Sequence, residues 1–169
     1  MSGITGYNGE DLTLRRLCLK IAEALAERSD CQNRIEDLKK RLARSARVQE
    51  GEKPAEDPTE LLAEVERTFT RMLDLIRSIN RTNARTTFTG QVTIADAIAE
   101  RDAVGKQRDL LANLAEAAST RQDRYSKSEV RFVATVSVSQ LQRQIDELSK
   151  SFRELDTRLQ ELNWKTDLV

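Results

Sequence analysis

The amino-acid sequence has no histidine, and it has few prolines, glycines and aromatic residues. Histidine is the commonest metal ligand and the commonest general base near neutral pH, so its absence argues against an enzyme. Two prolines, six glycines and 4% aromatic residues in 169 are typical of a long-helix or coiled-coil protein. We therefore expect no catalytic site, no metal site and no cofactor.

The sequence also lacks an excess of charge of one sign and a long apolar run. Lys plus Arg and Asp plus Glu number 28 each, so no overall field attracts nucleic acid. No apolar run approaches the ~20 residues that cross a bilayer. No basic segment followed by an apolar stretch opens the chain. These patterns predict a cytoplasmic protein with no nucleic-acid partner and no membrane span.

Heptad spacing of apolar residues predicts four long helices. The clearest series alternates steps of four and three: Leu141, Ile145, Leu148, Phe152, Leu155, Leu159 and Leu162. The predicted fold class is mainly α, with four long antiparallel helices that resemble a bundle or a coiled coil. These helices span about residues 11–47, 58–82, 94–118 and 138–163. Residues 1–10 form a flexible lead-in, and 11–169 form a single helical domain.

The two cysteines, Cys18 and Cys31, both fall in the first predicted helix. Their separation along that helix is about 20 Å, whereas a disulfide requires Cα atoms within roughly 7 Å. The sequence therefore predicts that they do not pair with each other.

Capping residues mark the starts of three helices. Asp57 before Pro58, Thr93 with Asp96, and Ser137 with Gln140 have the spacing of N-terminal caps. The basic end of the first helix precedes an acidic segment, and a helical hairpin brings the two together in ion pairs. Trp164, the only tryptophan, is expected to cap the core.

Two stretches have β-strand patterns. Residues 85–93 are rich in threonine and contain Thr89-Gly90, which predicts a short hairpin. Residues 130–136 alternate apolar and polar side chains and predict an additional strand. That strand needs a partner, because an isolated hairpin is marginally stable. It pairs with the 85–93 hairpin either within one chain or between subunits, and the second arrangement predicts an obligate oligomer.

Arg101 and Arg108 lie on or beside the apolar stripe of the third helix, where a charge must be paired or reach water. They form either an anion site or a structural ion-pair network, and the candidate partners are acids on another helix or Asp96, Glu100, Asp102 and Asp109. The candidate residues of a polar network or interface are Asn80, Asn83, Asp96, Arg101, Arg108, Asp123, Arg124, Tyr125 and Glu129.

Several phrases, among them "ALAERSDCQNRIEDLKKRL", "VQEGEKPAEDPTELL", "INRTN", "ADAIAERD", "DRYSKSEVRFVATVSV" and "LDTRLQELNW", resemble the septicolysin-like family of small bacterial proteins. The resemblance covers Ile21 to Leu168. The family name implies a cytolysin, but the resemblance assigns no catalytic or pore-lining residue to this chain.

Three functions are open at this point. The first is a non-enzymatic interaction or scaffold module that forms a homo-oligomer, with an unknown protein partner. The second is a binder of a small ligand or anion that uses the polar segments between helices. The third is a membrane-active, cytolysin-like protein, which the narrow, charge-flanked apolar stripes do not favour.

Overall fold

The computed structural model describes residues 19–119 and 133–169, and the described part is mainly α. Four helices, α1 (Ile21–Ser45), α2 (Pro58–Arg85), α3 (Ile94–Ser119) and α4 (Val138–Lys165), confirm the predicted fold class. Two short strands, β1 (Thr87–Thr89) and β2 (Val92–Thr93), precede α3. The described residues divide into two compact units: unit 1 comprises 19–86 and 162–169, and unit 2 comprises 87–119 and 133–161. That all four helices belong to a single domain stays a prediction.

In unit 1, α1 and α2 pack antiparallel around a small apolar core. The core consists of Ala24, Cys31, Leu75 and Ile79. The ends of the hairpin are joined by Arg41, whose guanidinium donates to the Glu56 carboxylate. This pair confirms the predicted ion pairing between the basic end of the first helix and the acidic segment that follows it.

The start of α1 corrects the prediction that the first helix begins at residue 11. Leu19 and Lys20 are not helical, and Lys20 forms an isolated antiparallel bridge with Asp167. The N–H of Ile21 donates to the carbonyl of Thr166 at 3.0 Å, and the N–H of Leu168 donates to the carbonyl of Leu19 at 2.7 Å. The backbone before Ile21 therefore pairs with the C-terminal segment, which competes with helix formation. Residues 11–18, including Cys18, lie outside the described residues.

Cys31 is a free, buried cysteine in α1. Burial raises the pKa of its thiol. Because α1 begins at Ile21, it does not carry both cysteines, so the distance argument from a shared helix no longer applies.

Unit 2 begins with the predicted hairpin. β1 and β2 pair antiparallel, with Thr87 opposite Thr93. Gly90 in the turn has a φ of +55°, a conformation that glycine adopts without steric cost. Phe88 is buried, and Arg158 of α4 stacks on its ring at 4.7 Å and donates to its carbonyl at 2.9 Å. One arginine thus fixes both the side chain and the backbone of β1.

The prediction of an additional strand at 130–136 is wrong for the residues that the structure describes. Residues 133–136 are irregular, and 130–132 lie outside the described residues. Within 19–119 and 133–169 the sheet has two strands. Residues 133–137 lead directly into α4, whose first turn is capped by Ser137.

The predicted helix caps are confirmed. Asp57 accepts from the N–H of Thr59 at 2.8 Å, and Pro58 is the first residue of α2. The N–H of Gln140 donates to the Ser137 hydroxyl at 3.4 Å. Trp164, in contrast, is 66% exposed, so the prediction that it caps the core is wrong.

The cap of α3 gives a prediction about pH. The N–H and the hydroxyl of Thr93 both donate to Asp96 Oδ2, at 3.0 and 2.7 Å, and these bonds lower the pKa of the carboxyl group. A folded-state pKa below the ordinary 3.8 means that the stabilisation is present above pH 3.8 and is lost as the pH falls further. Asp96→Ala should therefore lower the urea midpoint at neutral pH. The gap to the wild type should close as the pH falls below 3.8, and a gap of constant size would contradict this origin.

Candidate functional site

The predicted site residues fall in different units. Asn80 and Asn83 lie on α2 in unit 1, whereas Asp96, Arg101 and Arg108 lie on α3 in unit 2. Asn80 is exposed, and Asn83 is half-buried with a carboxamide oxygen that has no hydrogen-bond partner in the described part of the chain. Asp96 serves as the cap described above. The other four, Asp123, Arg124, Tyr125 and Glu129, lie outside the described residues.

Arg101 and Arg108 have anionic partners within unit 2. Arg101 donates to the Asp102 carboxylate at 2.7 Å and to that of Asp156 on α4 at 3.1 Å, and these partners raise the pKa of its guanidinium. Arg108 donates to Asp109 at 2.7 Å. This is the arrangement expected of a structural ion-pair network.

α3 and α4 approach closely at Gly105. A Cβ placed on Gly105 would lie 3.1 Å from Cε2 of Phe152. Arg108 covers the same ring, with its guanidinium carbon 5.0 Å from the ring centre. Arg101 of α3 contacts Asp156 of α4, and Gly105, one turn later in α3, lies against Phe152, one turn earlier in α4. The two helices therefore run antiparallel. Gly105 and the two arginines therefore define the packing of this helix pair.

One side of the α1–α2 hairpin is closed by interhelical ion pairs. Arg71 donates to both carboxylate oxygens of Glu27, at 2.6 and 2.7 Å, and Arg34 donates to Glu64 at 2.7 Å. These pairs and the Arg41–Glu56 pair neutralise charge along this side. A bidentate arginine–carboxylate pair also fixes the helix register.

The other side of the hairpin is apolar. Successive residues of a helix are rotated by about 100° around its axis. Measured around α2 from Arg71, the core residue Leu75 lies at about 40° and Met72 lies at about 100°. Three exposed residues continue in this direction: Leu62, Phe69 and Leu73 are 54%, 47% and 44% exposed. We call these three residues, with the half-buried Val65, Met72 and Ile76, the apolar face.

Arg28 lies on α1 at the same side. Measured around α1 from Glu27, the core residue Cys31 lies at about 40° and Arg28 lies at about 100°. Arg28 is therefore on the far side of the core from the Glu27–Arg71 ion pair. Its Nε atom is buried and has no hydrogen-bond partner among the described residues. A buried donor without an acceptor is costly.

A cavity of about 770 Å³ lies between α2 and the C-terminal segment of unit 1. We call it the tail cavity. Its apolar lining is Leu19, Leu75, Leu168 and Val169, and its charged lining is Arg71, Asp74, Arg77, Arg81 and Asp167. Ser78 completes the α2 wall. On the helix, Arg81 lies about 180° from Met72, but Arg77 lies only about 40° from Leu73, so the cavity and the apolar face occupy different parts of the α2 surface that adjoin at Leu73 and Arg77.

Two further cavities are smaller than the tail cavity. One of about 620 Å³ near the α1–α2 loop is lined by Arg41 and Glu56, which already pair with each other. The other, of about 390 Å³ in unit 2, is lined by neutral side chains and one carboxylate, Glu147.

Sequence reasoning missed both the apolar face and the tail cavity. The sequence predicted the second helix, but it did not indicate how much of the apolar surface of that helix stays exposed. Arg77 and Arg81, one turn apart on α2, were a weak signal for the cavity. The wall that completes it is the segment after α4, and its pairing with Lys20 joins residues distant in sequence.

Comparisons with known proteins agree with the fold. The two antiparallel helix pairs and the hairpin define a class of small, mainly α protein. The chain belongs to a family of unknown function (DUF6847), whose model matches residues 28–168. It is similar to a crystal structure described as that of a functionally unknown conserved protein from Corynebacterium diphtheriae. The two are 45% identical with a TM-score of 0.86, over 90% of this chain and 99% of the other. No curated protein matches the chain.

No described helix is long and apolar enough to cross a membrane. Within residues 19–119 and 133–169, no three cysteine or carboxylate side chains lie close enough to hold a metal ion. The resemblance to septicolysin-like proteins stays a prediction.

Proposed function

We propose that this protein is a non-enzymatic helical interaction module that associates with further copies of itself. The observation that carries the proposal is the apolar face, where Leu62, Phe69 and Leu73 are each about half exposed along one side of α2. Contiguous exposed apolar residues on a helix face are typical of an interaction surface, whereas isolated ones are not. The absence of histidine from the sequence supports a non-enzymatic role.

Burial of the apolar face supplies the driving force. Each Å² of apolar surface removed from water contributes about 25 cal/mol, and an aromatic side chain such as Phe69 buries roughly 150–250 Å² when fully covered. On the opposite side of the hairpin, Glu27 already pairs with Arg71 and Glu64 with Arg34. The apolar face is therefore the side of unit 1 that gains most from a partner.

A second copy of the chain fits this surface. Two copies of one apolar face are complementary when related by a twofold axis, which is the commonest symmetry of soluble homo-oligomers. The balance of 28 basic and 28 acidic residues leaves no net repulsion between copies.

The experiment is size-exclusion chromatography with light scattering over a dilution series. At micromolar concentration we expect a mass at least twice the 19.2 kDa of one chain. The mass should fall towards one chain on dilution if the association is reversible. A mass of one chain at every concentration would contradict the proposal.

A further inference from the structure

We infer that the tail cavity is a binding site for a small anionic amphiphile, that is, a carboxylate or phosphate group attached to a short apolar chain. The cavity combines an apolar floor with two arginines, Arg77 and Arg81, that have no acidic partner in the described part of the chain. Its volume of about 770 Å³ falls within the range of roughly 300–1,000 Å³ that is usual for ligand sites. The site is independent of the proposed self-association.

The apolar floor is fixed before any ligand binds. Leu75 at its base is 1% exposed and belongs to the core of unit 1. Leu168 packs against the same core. Two hydrogen bonds from backbone N–H groups hold the C-terminal wall. The N–H of Leu168 donates to the carbonyl of Leu19 at 2.7 Å, and the N–H of Val169 donates to the Thr82 hydroxyl at 2.9 Å. A preformed apolar floor binds a hydrocarbon chain without a large ordering cost.

The charges around the floor favour an anion. Arg77 and Arg81 are four residues apart, so they lie on one side of α2 with Cβ atoms roughly 6 Å apart. Neither has an ion pair among the residues that the structure describes. Of the remaining charged groups, Arg71 is held by Glu27, and Asp167 pairs with Lys20 at 2.6 Å. Asp74 has an interaction of its own.

Two guanidinium groups on one side suit a carboxylate or a phosphate. Arginine offers a planar set of donors that matches these anions and bonds them bidentately. With the cavity's acids already engaged, the unmatched charge beside the apolar floor is positive. An anion with an apolar chain satisfies both parts of the cavity, whereas a neutral chain leaves the arginines unmatched and a free anion leaves the floor empty.

Isothermal titration calorimetry with octanoate tests the inference on the full chain. We expect octanoate to bind at one molecule per chain, and 1-octanol and acetate to bind much more weakly. The double variant Arg77→Gln/Arg81→Gln should weaken octanoate binding at least about tenfold, because charge-assisted hydrogen bonds are lost. Ser78→Phe, which fills the cavity from the α2 wall and leaves both arginines in place, should also abolish binding.

The matched control is Arg153→Gln, which removes an exposed arginine of unit 2 that does not line the cavity. It should bind octanoate like the wild type. Equal binding by the wild type and the double variant would overturn the inference, as would equal affinity for octanoate and 1-octanol. A last arm uses phosphatidylglycerol vesicles: cosedimentation without octanoate binding would assign the arginines to a membrane surface and reject a small ligand. The variant Leu62→Glu/Phe69→Glu disrupts the apolar face without placing a carboxylate one turn from Arg77, so it should keep the wild-type octanoate affinity, which separates this site from self-association.

Discussion

Glutamate at both Phe69 and Leu73 should make the protein monomeric. Both side chains are exposed on the apolar face, so the double variant Phe69→Glu/Leu73→Glu is expected to fold. In an interface, however, each carboxylate loses its hydration without gaining a partner. Central interface residues contribute about 2 kcal/mol or more each. We therefore expect the dissociation constant to rise by at least roughly 100-fold, measured by sedimentation equilibrium.

Thr70→Glu is the matched control for this variant. Thr70 is an exposed neighbour on the same helix, but it lies about 100° from Phe69, outside the apolar face. It should associate like the wild type, and both variants should keep the wild-type helix signal in circular dichroism. If the double variant kept the wild-type mass, the apolar face would not be the contact surface.

Leucine at Gly105 should destabilise unit 2. The position of the added Cβ is 3.1 Å from Cε2 of Phe152, so a larger side chain must displace the ring. Displacing the ring also separates it from Arg108, which stacks on it at 5.0 Å. Overpacking of this kind costs about 1–3 kcal/mol. We expect a matching loss in the free energy of unfolding, measured by urea denaturation.

Two substitutions calibrate that result. Ala103→Leu places the same side chain at an exposed position of α3 and should change stability little. Gly105→Ala adds one methyl group: the helix gains up to about 1 kcal/mol in propensity, and the close contact with Phe152 offsets that gain. A Gly105→Leu variant as stable as the wild type would show that Phe152 moves away without cost.

The helices were predictable because their signals are local. Leu141 and Leu159 of the heptad series are buried, and the rest of the series is half-buried, as one stripe requires. Caps at Asp57, Thr93 and Ser137 depend on residues two or three positions away, so sequence spacing predicts them well. The hairpin turn at Gly90 depends on a single residue type and was predicted for the same reason.

The errors arose where distant segments meet. Lys20 leaves the helical pattern because it pairs with Asp167, and no local rule anticipates that bridge. Phe88 is held by Arg158, which is 70 positions away in the sequence, so no local pattern indicates this contact. Of the candidate site, Arg101 and Arg108 were recognised as charges that need partners. The cavity beside Arg77 and Arg81 was missed because its floor comes from both ends of the described chain.

The most direct test of the account is hydroxyl-radical footprinting of the wild-type protein at concentrations below and above the association midpoint. We predict that labelling of Leu62, Phe69 and Leu73 decreases as the oligomer forms. Labelling of Leu110, an exposed leucine of α3 outside the apolar face, should stay constant. If the three residues were labelled equally in monomer and oligomer, self-association through the apolar face of α2 would be contradicted.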